Sequence, residues 1–241
     1  MDRLIYLAMS GAKATLQRQD LLANNLANAS THGFRAELQA FRAVPVRGDG
    51  ASTRVFALES TVGHDSRSGP VQATGRALDV AMQGGAWLAV QALDGTEGYT
   101  RAGALQVGTD GQLVTAAGLP VLGDGGPITL PPNAAVDVAS DGSITTQVGN
   151  DPPVQAGRLK LVTPSGALAR GEDGLFRAAE GELPADADAR LQSGALEGSN
   201  VSPVETMVAM IAAARQFEQQ MKVLQGAEQR EQAASRLLSP Q

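Results

Sequence analysis

The chain has no cysteine, which removes disulfides and cysteine-ligated metals at the outset. Aromatic residues are scarce, at 3% of 241. A core must therefore be built from Ala, Val and Leu, and a glycan-binding cleft would have only Trp87, Tyr6 and Tyr99 besides phenylalanine to stack on sugars. His32 and His64 are the only histidines, and neither has an acid spaced to orient it. That pattern fits neither a nucleophilic triad nor a two-histidine metal site. No apolar stretch approaches the roughly 20 residues of a membrane span. The run Leu4 to Met9 is too short for the apolar region of a signal peptide, so any route out of the cytoplasm is expected to read no cleavable signal. Basic charge is in deficit. A net charge of −6 and a pI near 5.0 argue against nucleic acid and anionic membranes as partners, because phosphate binding needs a concentrated basic patch.

Three short matches to chemical motifs fail on their own terms. Asp137 to Asp141-Gly142 lacks the terminal acid of a calcium loop. Gly123-Asp124-Gly125-Gly126-Pro127 lacks the Lys-Ser/Thr of a phosphate loop. Asn28-Ala29-Ser30 and Asn200-Val201-Ser202 have the glycosylation pattern, but both stand where helices begin or end and where Asn and Ser serve as caps. No catalytic, metal or cofactor residue is assigned.

What is present lies at the two ends. Ser202 stands at an N-cap position, Pro203 at the first helical position where its missing N–H costs nothing, and Glu205 supplies a capping-box acid. Met207, Met210, Ala214, Phe217, Met221 and Leu224 then recur at alternating spacings of three and four, widened by Val208 and Ile211. A helix over 203–238 is expected, roughly 50 Å long at about 1.5 Å per residue. It is too long for one small domain to cover. Residues 1–30 read as a second helix, with Leu4, Leu7, Gly11, Ala14, Leu21, Leu22 and Leu26 on its apolar stripe. Small residues on that stripe, Ala8, Gly11, Ala12 and Ala14, let a partner helix approach closely.

Between the ends the pattern changes. Residues 31–76 read as an extended connecting region, with short strands at Val44 to Val46 and Val55-Phe56 around a Gly48-Asp49-Gly50 turn. Residues 77–185 read as a mostly antiparallel β domain. Its hairpins are marked by Asp94-Gly95, Asp110-Gly111, Asp124-Gly125, Asp141-Gly142 and Asp173-Gly174 between apolar runs. A return linker over 186–202 leads to the last helix. The fold class is α+β, with an antiparallel, coiled-coil-like pair of terminal helices flanking a central β domain.

Two motifs carry a resemblance. Asn24-Asn25-Leu26-Ala27-Asn28 with Thr31, Gly33, Phe34 and Arg35 resembles the N-terminal signature of the flagellar rod and hook family, the axial proteins of the bacterial flagellum. Glu197-Gly198-Ser199-Asn200-Val201, with Val204, Met210-Ile211, Arg215, Phe217-Glu218 and Lys222, is similar to that family's C-terminal signature. Ala214 departs from it, standing where the family usually has Gln. The mid-chain stretches Phe41 to Val46, Trp87 to Val90, Tyr99-Thr100-Arg101, Leu119 to Leu122 and Gly126 to Ile128 look most like the family's proximal-rod members.

The resemblance implies a structural subunit and no enzyme. Its partners would be copies of itself, other rod proteins of the proximal and distal rod, and, in transit, the flagellar type III export apparatus. No nucleic acid and no membrane insertion are implied, and the location is the basal-body rod within the periplasm. Leu4, Leu7, Leu21, Leu22, Leu26, Met207, Met210, Ile211, Phe217, Met221 and Leu224 would form the helical seam and subunit contacts of a head-to-tail tube that transmits torque. A distal-rod or other axial protein of the same family, or a β-domain glycan-binding protein on a coiled-coil stalk, is the alternative; cleavage of peptidoglycan would further need an acid pair in a cleft.

Overall fold

In a computed structural model that describes residues 2–45 and 55–238, the chain is α+β and divides into two units. One gathers Met1–Ala29, Ala36–Asp65 and Val201–Gln241; the other gathers Ser30–Arg35 and Ser66–Asn200. Each is described by itself.

The first unit contains helix α1 (Asp2–Ala27), the antiparallel ribbon of β1 (Glu37–Pro45) and β2 (Val55–His64), and helix α2 (Pro203–Leu238). Ser202 caps α2: its carbonyl accepts from the Thr206 N–H at 3.0 Å and its hydroxyl lies 3.5 Å from the Glu205 N–H. The two helices pack on each other, and Gly11 makes room for the Gln220 side chain. A Cβ built on Gly11 would stand 2.9 Å from Gln220 Nε2. The expected Gly48 to Gly50 turn lies outside the described residues. No described helix is long and apolar enough to cross a membrane.

The second unit is all β. Its largest sheet has five antiparallel strands in the order Leu161–Val162, Trp87–Gln91, Glu97–Thr100, Phe176–Ala178 and Leu168–Arg170. Along Trp87–Gln91 the period of two sends Leu88 and Val90 into one core with Val80, Leu105, Leu113, Val121, Ile144 and Leu191. Trp87 and Ala89 enter another with Tyr99, Val162, Leu168 and Phe176. Three of the eight aromatics thus meet on one side, where the Trp87 and Phe176 rings pack 4.7 Å apart. Burial pushes the Tyr99 hydroxyl up to about 12, while that oxygen accepts a hydrogen bond from the Leu183 N–H.

All five Asp-Gly pairs lie at hairpin turns, and four of them repeat one device. The Asp carboxylate accepts from the N–H two residues on, at Thr96, Gln112, Ser143 and Leu175. The following Gly takes a positive φ of 79 to 87° and donates to the carbonyl three residues back.

Residues 31–35 and 66–76, read from sequence as connecting chain, lie within this β unit, as does the return segment up to Asn200. Leu191–Ser193 pairs with Val80–Met82, and Ala195–Glu197 pairs with Val71–Ala73. Both ends of the unit are therefore closed by chain that arrives from outside its hairpin array.

Candidate functional site

The N-terminal and C-terminal motifs meet in the β unit, and a buried carboxylate joins them. Glu197, at the end of its strand, is 1% exposed. Its Oε1 contacts Arg35 Nη2 at 2.8 Å and its Oε2 contacts Arg101 Nε at 2.8 Å. Both arginines are as deeply buried as the acid. One charge set among two opposite ones in low dielectric requires that the remaining donors find acceptors, and neighbouring carbonyls and the Ser68 hydroxyl take several of them. Arg101 donates to the carbonyls of Gly84 and Ala86 and to Ser68 Oγ, and its guanidinium lies 5.8 Å from the Trp87 ring centroid. Arg35 donates to the Arg67 carbonyl, and Glu197 Oε1 also accepts from the Gly69 N–H at 3.0 Å.

Backbone contacts lock the same point. Gly33 N–H donates to the Glu197 carbonyl at 2.8 Å, Asn200 N–H to the Phe34 carbonyl at 3.3 Å, and Gly198 N–H to the Pro70 carbonyl at 2.8 Å. Asn200 Nδ2 reaches the Arg67 carbonyl. Phe34 is buried, with the Arg170 guanidinium 4.6 Å from its ring. Ser199 is buried beside them, whereas Thr31 is exposed and uses its carbonyl to accept from Phe34 N–H.

The glycines follow from this crowding. Gly33 has φ +71°, and a Cβ there would stand 2.2 Å from the Arg101 carbonyl carbon. Gly75 has φ +74° with open space around it. Gly75→Ala is expected to cost only the left-handed strain of about 1–2 kcal/mol. Gly33→Ala carries the same strain plus a collision with backbone. Its melting temperature, compared with that of Gly75→Ala in the same assay, should fall several times further; equal shifts would mean that the close approach is absent.

A second ionic cluster pins the neighbouring turn. Burial disfavours the Asp79 carboxylate, but hydrogen bonds from Arg76 and Thr74 outweigh it and hold its pKa below the ordinary value. His32, which is exposed, adds a smaller push in the same direction.

In the first unit, Asn25 explains part of the Asn-rich motif. Its carboxamide bridges both backbone groups of Glu37, donating to the carbonyl at 3.0 Å and accepting from the N–H at 2.9 Å. The ribbon is thereby tied to the helix it follows. Asn24 accepts at its carbonyl from the Asn28 backbone and side chain, finishing α1, and the Leu26 carbonyl accepts from Ala29 N–H, with Ala27 exposed between them. Val201 is buried just ahead of α2.

The seam residues divide. The buried or half-buried positions on α1 include a stripe of Ala8, Ala12, Thr15, Gln19, Leu22 and Leu26, flanked by Gly11, Ala14, Leu21 and Asn25; on α2 they include Thr206, Met210, Ala213, Phe217, Gln220 and Leu224, flanked by Ala209, Ala214 and Ala227. Met210, Phe217, Leu224, Leu22 and Leu26 are thus on those stripes, and Leu21 is half-buried beside Leu22. Met207, Ile211 and Met221 are exposed on the chain by itself. Leu4 and Leu7 lie in α1 with side chains outside the described residues. Sequence reasoning missed the roles of Arg35 and Arg101 as partners of Glu197. The available signal was a lone acid in the apolar run Ala195-Leu196-Glu197, which needs a buried cation.

Among the described residues no group of three or more His, Asp or Glu is placed to hold a metal. A shallow cleft of about 470 Å³ is lined by Glu97, Leu122, Asp124 and Lys160, with Glu97 paired to Lys160 at 2.7 Å.

Three family profiles match along the chain. Residues 5–35 match "Flagella basal body rod protein", residues 81–146 match "Flagellar hook protein FlgE/F/G D1 domain", and residues 192–237 match "Flagellar basal body rod FlgEFG protein C-terminal". Arg35, Arg101 and Glu197 fall one in each segment. The chain is 51% identical to the flagellar basal-body rod protein FlgF of Salmonella typhimurium and 49% identical to that of Escherichia coli, covering 99% of both chains in each case. It is 31% identical to the flagellar basal-body rod protein FlgG of Bacillus subtilis, over 93% of this chain and 94% of that one.

Proposed function

The chain belongs to the family of flagellar basal-body rod proteins, and from that premise we propose that it is a structural subunit of the proximal rod, assembling through its terminal helices into the shaft that transmits torque. Identity of 51% to an FlgF against 31% to an FlgG favours the proximal over the distal type. Its partners are copies of itself and the other rod proteins. It reaches the periplasm through the flagellum's own type III export apparatus, and it catalyses nothing.

The observation that carries this reading is how the helices spend their apolar residues. The stripes on α1 and α2 both alternate steps of four and three, and reading one forwards and the other backwards pairs Ala8 with Leu224, Ala12 with Gln220, Thr15 with Phe217, Gln19 with Ala213, Leu22 with Met210 and Leu26 with Thr206. Such a pattern is what an antiparallel, coiled-coil-like pair would need, small against large at most layers. The seam is nonetheless poor in large apolar groups, while Val204, Met207, Val208 and Ile211 are at least half exposed. A helix whose better hydrophobic face points outward needs another molecule to cover it.

Expression in a Salmonella typhimurium strain lacking its own FlgF tests the function. Swimming and complete rods in isolated basal bodies are expected from the wild-type chain and their loss from Val208→Glu with Ile211→Glu. Normal motility from that variant would remove the helices from the assembly surface, and failure of the wild-type chain would refute the rod assignment.

A further inference from the structure

The five Asp-Gly pairs put one dipeptide into two kinds of turn. Aspartate followed by glycine is open to cyclisation, because glycine offers its amide nitrogen with no Cβ to shield it. All five pairs share that neighbour, so sequence alone assigns them similar reactivity and the fold decides between them. At Asp94, Asp110, Asp141 and Asp173 both reacting groups are occupied. The carboxylate accepts from the N–H two residues on, and the Gly nitrogen donates to the carbonyl three residues back. Hydrogen bonds from Thr96, Ser143 and Arg177, respectively, hold the Asp94, Asp141 and Asp173 carboxyls below the usual range, which favours the ionised form, from which oxygen leaves poorly. Asp124-Gly125 is placed differently. It stands one position earlier in its turn, between Leu122–Gly123 and Gly126–Pro127, so the positive φ of +111° falls on Gly126 and not on the glycine of the pair. Among the described residues neither the Asp124 carboxylate nor the Gly125 N–H has a hydrogen-bond partner. Both residues are exposed, and nothing lies within 4 Å of a Cβ built on Gly125.

We propose that Asp124-Gly125 is a site of spontaneous isoaspartate formation in the folded chain, and that the other four pairs are protected by their turns. The step is an intramolecular condensation. The Gly125 nitrogen attacks Cγ of the Asp124 carboxylic acid. The N–Cγ bond forms, the bond from Cγ to the hydroxyl oxygen breaks, and that oxygen leaves as water with its own proton and the one from nitrogen. A water molecule then opens the cyclic imide. Cleavage of the N–Cγ bond restores aspartate, whereas cleavage of the original peptide bond leaves the main chain running through Cγ, one methylene longer and with the α-carboxyl free. No oxidant and no reactant besides water enters. In the four protected turns both hydrogen bonds of the pair must break first; at Asp124 none stands in the way. The fold tolerates the product, since the turn is exposed and its hairpin has only two paired positions. Asp124 also lines the cleft that holds Lys160, so conversion moves a negative charge there.

Ageing the full chain in neutral buffer made with heavy-oxygen water tests this. Each opening of the imide places one heavy oxygen in the product, and proteolysis with mass spectrometry assigns it to a peptide. Resistance to an aspartate-specific protease marks the isoaspartyl form. In the folded chain the peptide holding Asp124 is expected to gain label and isoaspartate several-fold faster than any of the other four. In denaturant the five are expected to react at comparable rates. Equal labelling of all five pairs in the folded chain would overturn the proposal, as would a lead for another pair or an unlabelled Asp124. The same Asp124 lead in denaturant would also overturn it, by tracing the reactivity to flanking sequence and not to the turn. Gly125→Ala, which the open space accepts, should lower the label at Asp124 to the level of the protected pairs while circular dichroism stays unchanged. Full labelling in that variant would mean that the Gly125 nitrogen is not the nucleophile and would sink the assignment. None of these readouts depends on the rod assignment, so either can fail alone.

Discussion

Glu197→Ala is expected to destabilise the β unit by about 3–5 kcal/mol, because it leaves two buried guanidinium groups facing each other without their shared anion. The side chain is 1% exposed, and each of its oxygens is 2.8 Å from an arginine nitrogen. Solvent cannot replace it. In a unit of this size the loss corresponds to a fall in melting temperature of about 10–20 °C. Trp87 is the only tryptophan, and the Arg101 guanidinium lies 5.8 Å from its ring, so its fluorescence reports on the damaged point directly. Glu197→Gln should recover little, since a carboxamide has one accepting oxygen and would turn its NH₂ toward a cation. Salt should not rescue either variant, because burial screens the cluster from added ions. A loss below about 1 kcal/mol would place this pair among ordinary surface salt bridges and sink the clamp.

How much of this could be read from the chain depended on distance along it. The α2 cap is local, and Ser202, Pro203 and Glu205 announce it within four residues. The hairpins are local too, since each Asp-Gly supplies both the side-chain acceptor and the positive φ that its turn requires. The pairing of Leu191–Ser193 with Val80–Met82 is neither local nor patterned: three-residue strands broken by Gly194, with partners more than 100 residues away, leave no periodic trace. The clamp is hidden in the same way. Glu197 and Arg101 are 96 residues apart, and only the fold brings them together.

The helical stripes were half legible for a different reason. Ranking residues by hydrophobicity selects Met207, Ala214 and Met221 as companions of Met210, Phe217 and Leu224. Burial adds Thr206, Ala213 and Gln220, keeps Ala214 half-buried and leaves Met207 and Met221 exposed, because closely packed helices select residues for size as well as apolarity. The large side chains left outside then become informative, since an intramolecular seam has no use for them.

The fragment 30–200 is expected to fold cooperatively, and the fragment 36–200 is expected not to. The two differ by six residues, of which three carry the difference. Removing Phe34 deletes a buried ring, worth about 3–5 kcal/mol by analogy with truncation to Ala. Removing Arg35 takes one of the two cations from Glu197 and an N–H donor from the Arg67 carbonyl. Removing Gly33 leaves the Glu197 carbonyl without the N–H it accepts at 2.8 Å. The combined loss is comparable with the whole stability of a typical domain, about 5–15 kcal/mol. Residues 77–185, which contain most of the hairpins, lack these contacts and also lack Leu191–Ser193 and Ala195–Glu197, so they should fare no better. Chemical denaturation followed by Trp87 fluorescence distinguishes the outcomes. Transitions at similar denaturant concentration for 30–200 and 36–200 would mean that the β unit is complete without the chain entering from α1. A sloping, uncooperative signal for 36–200 alone would mean that the two motifs at opposite ends of the sequence form one structural element, closed only when both ends of the chain are in place.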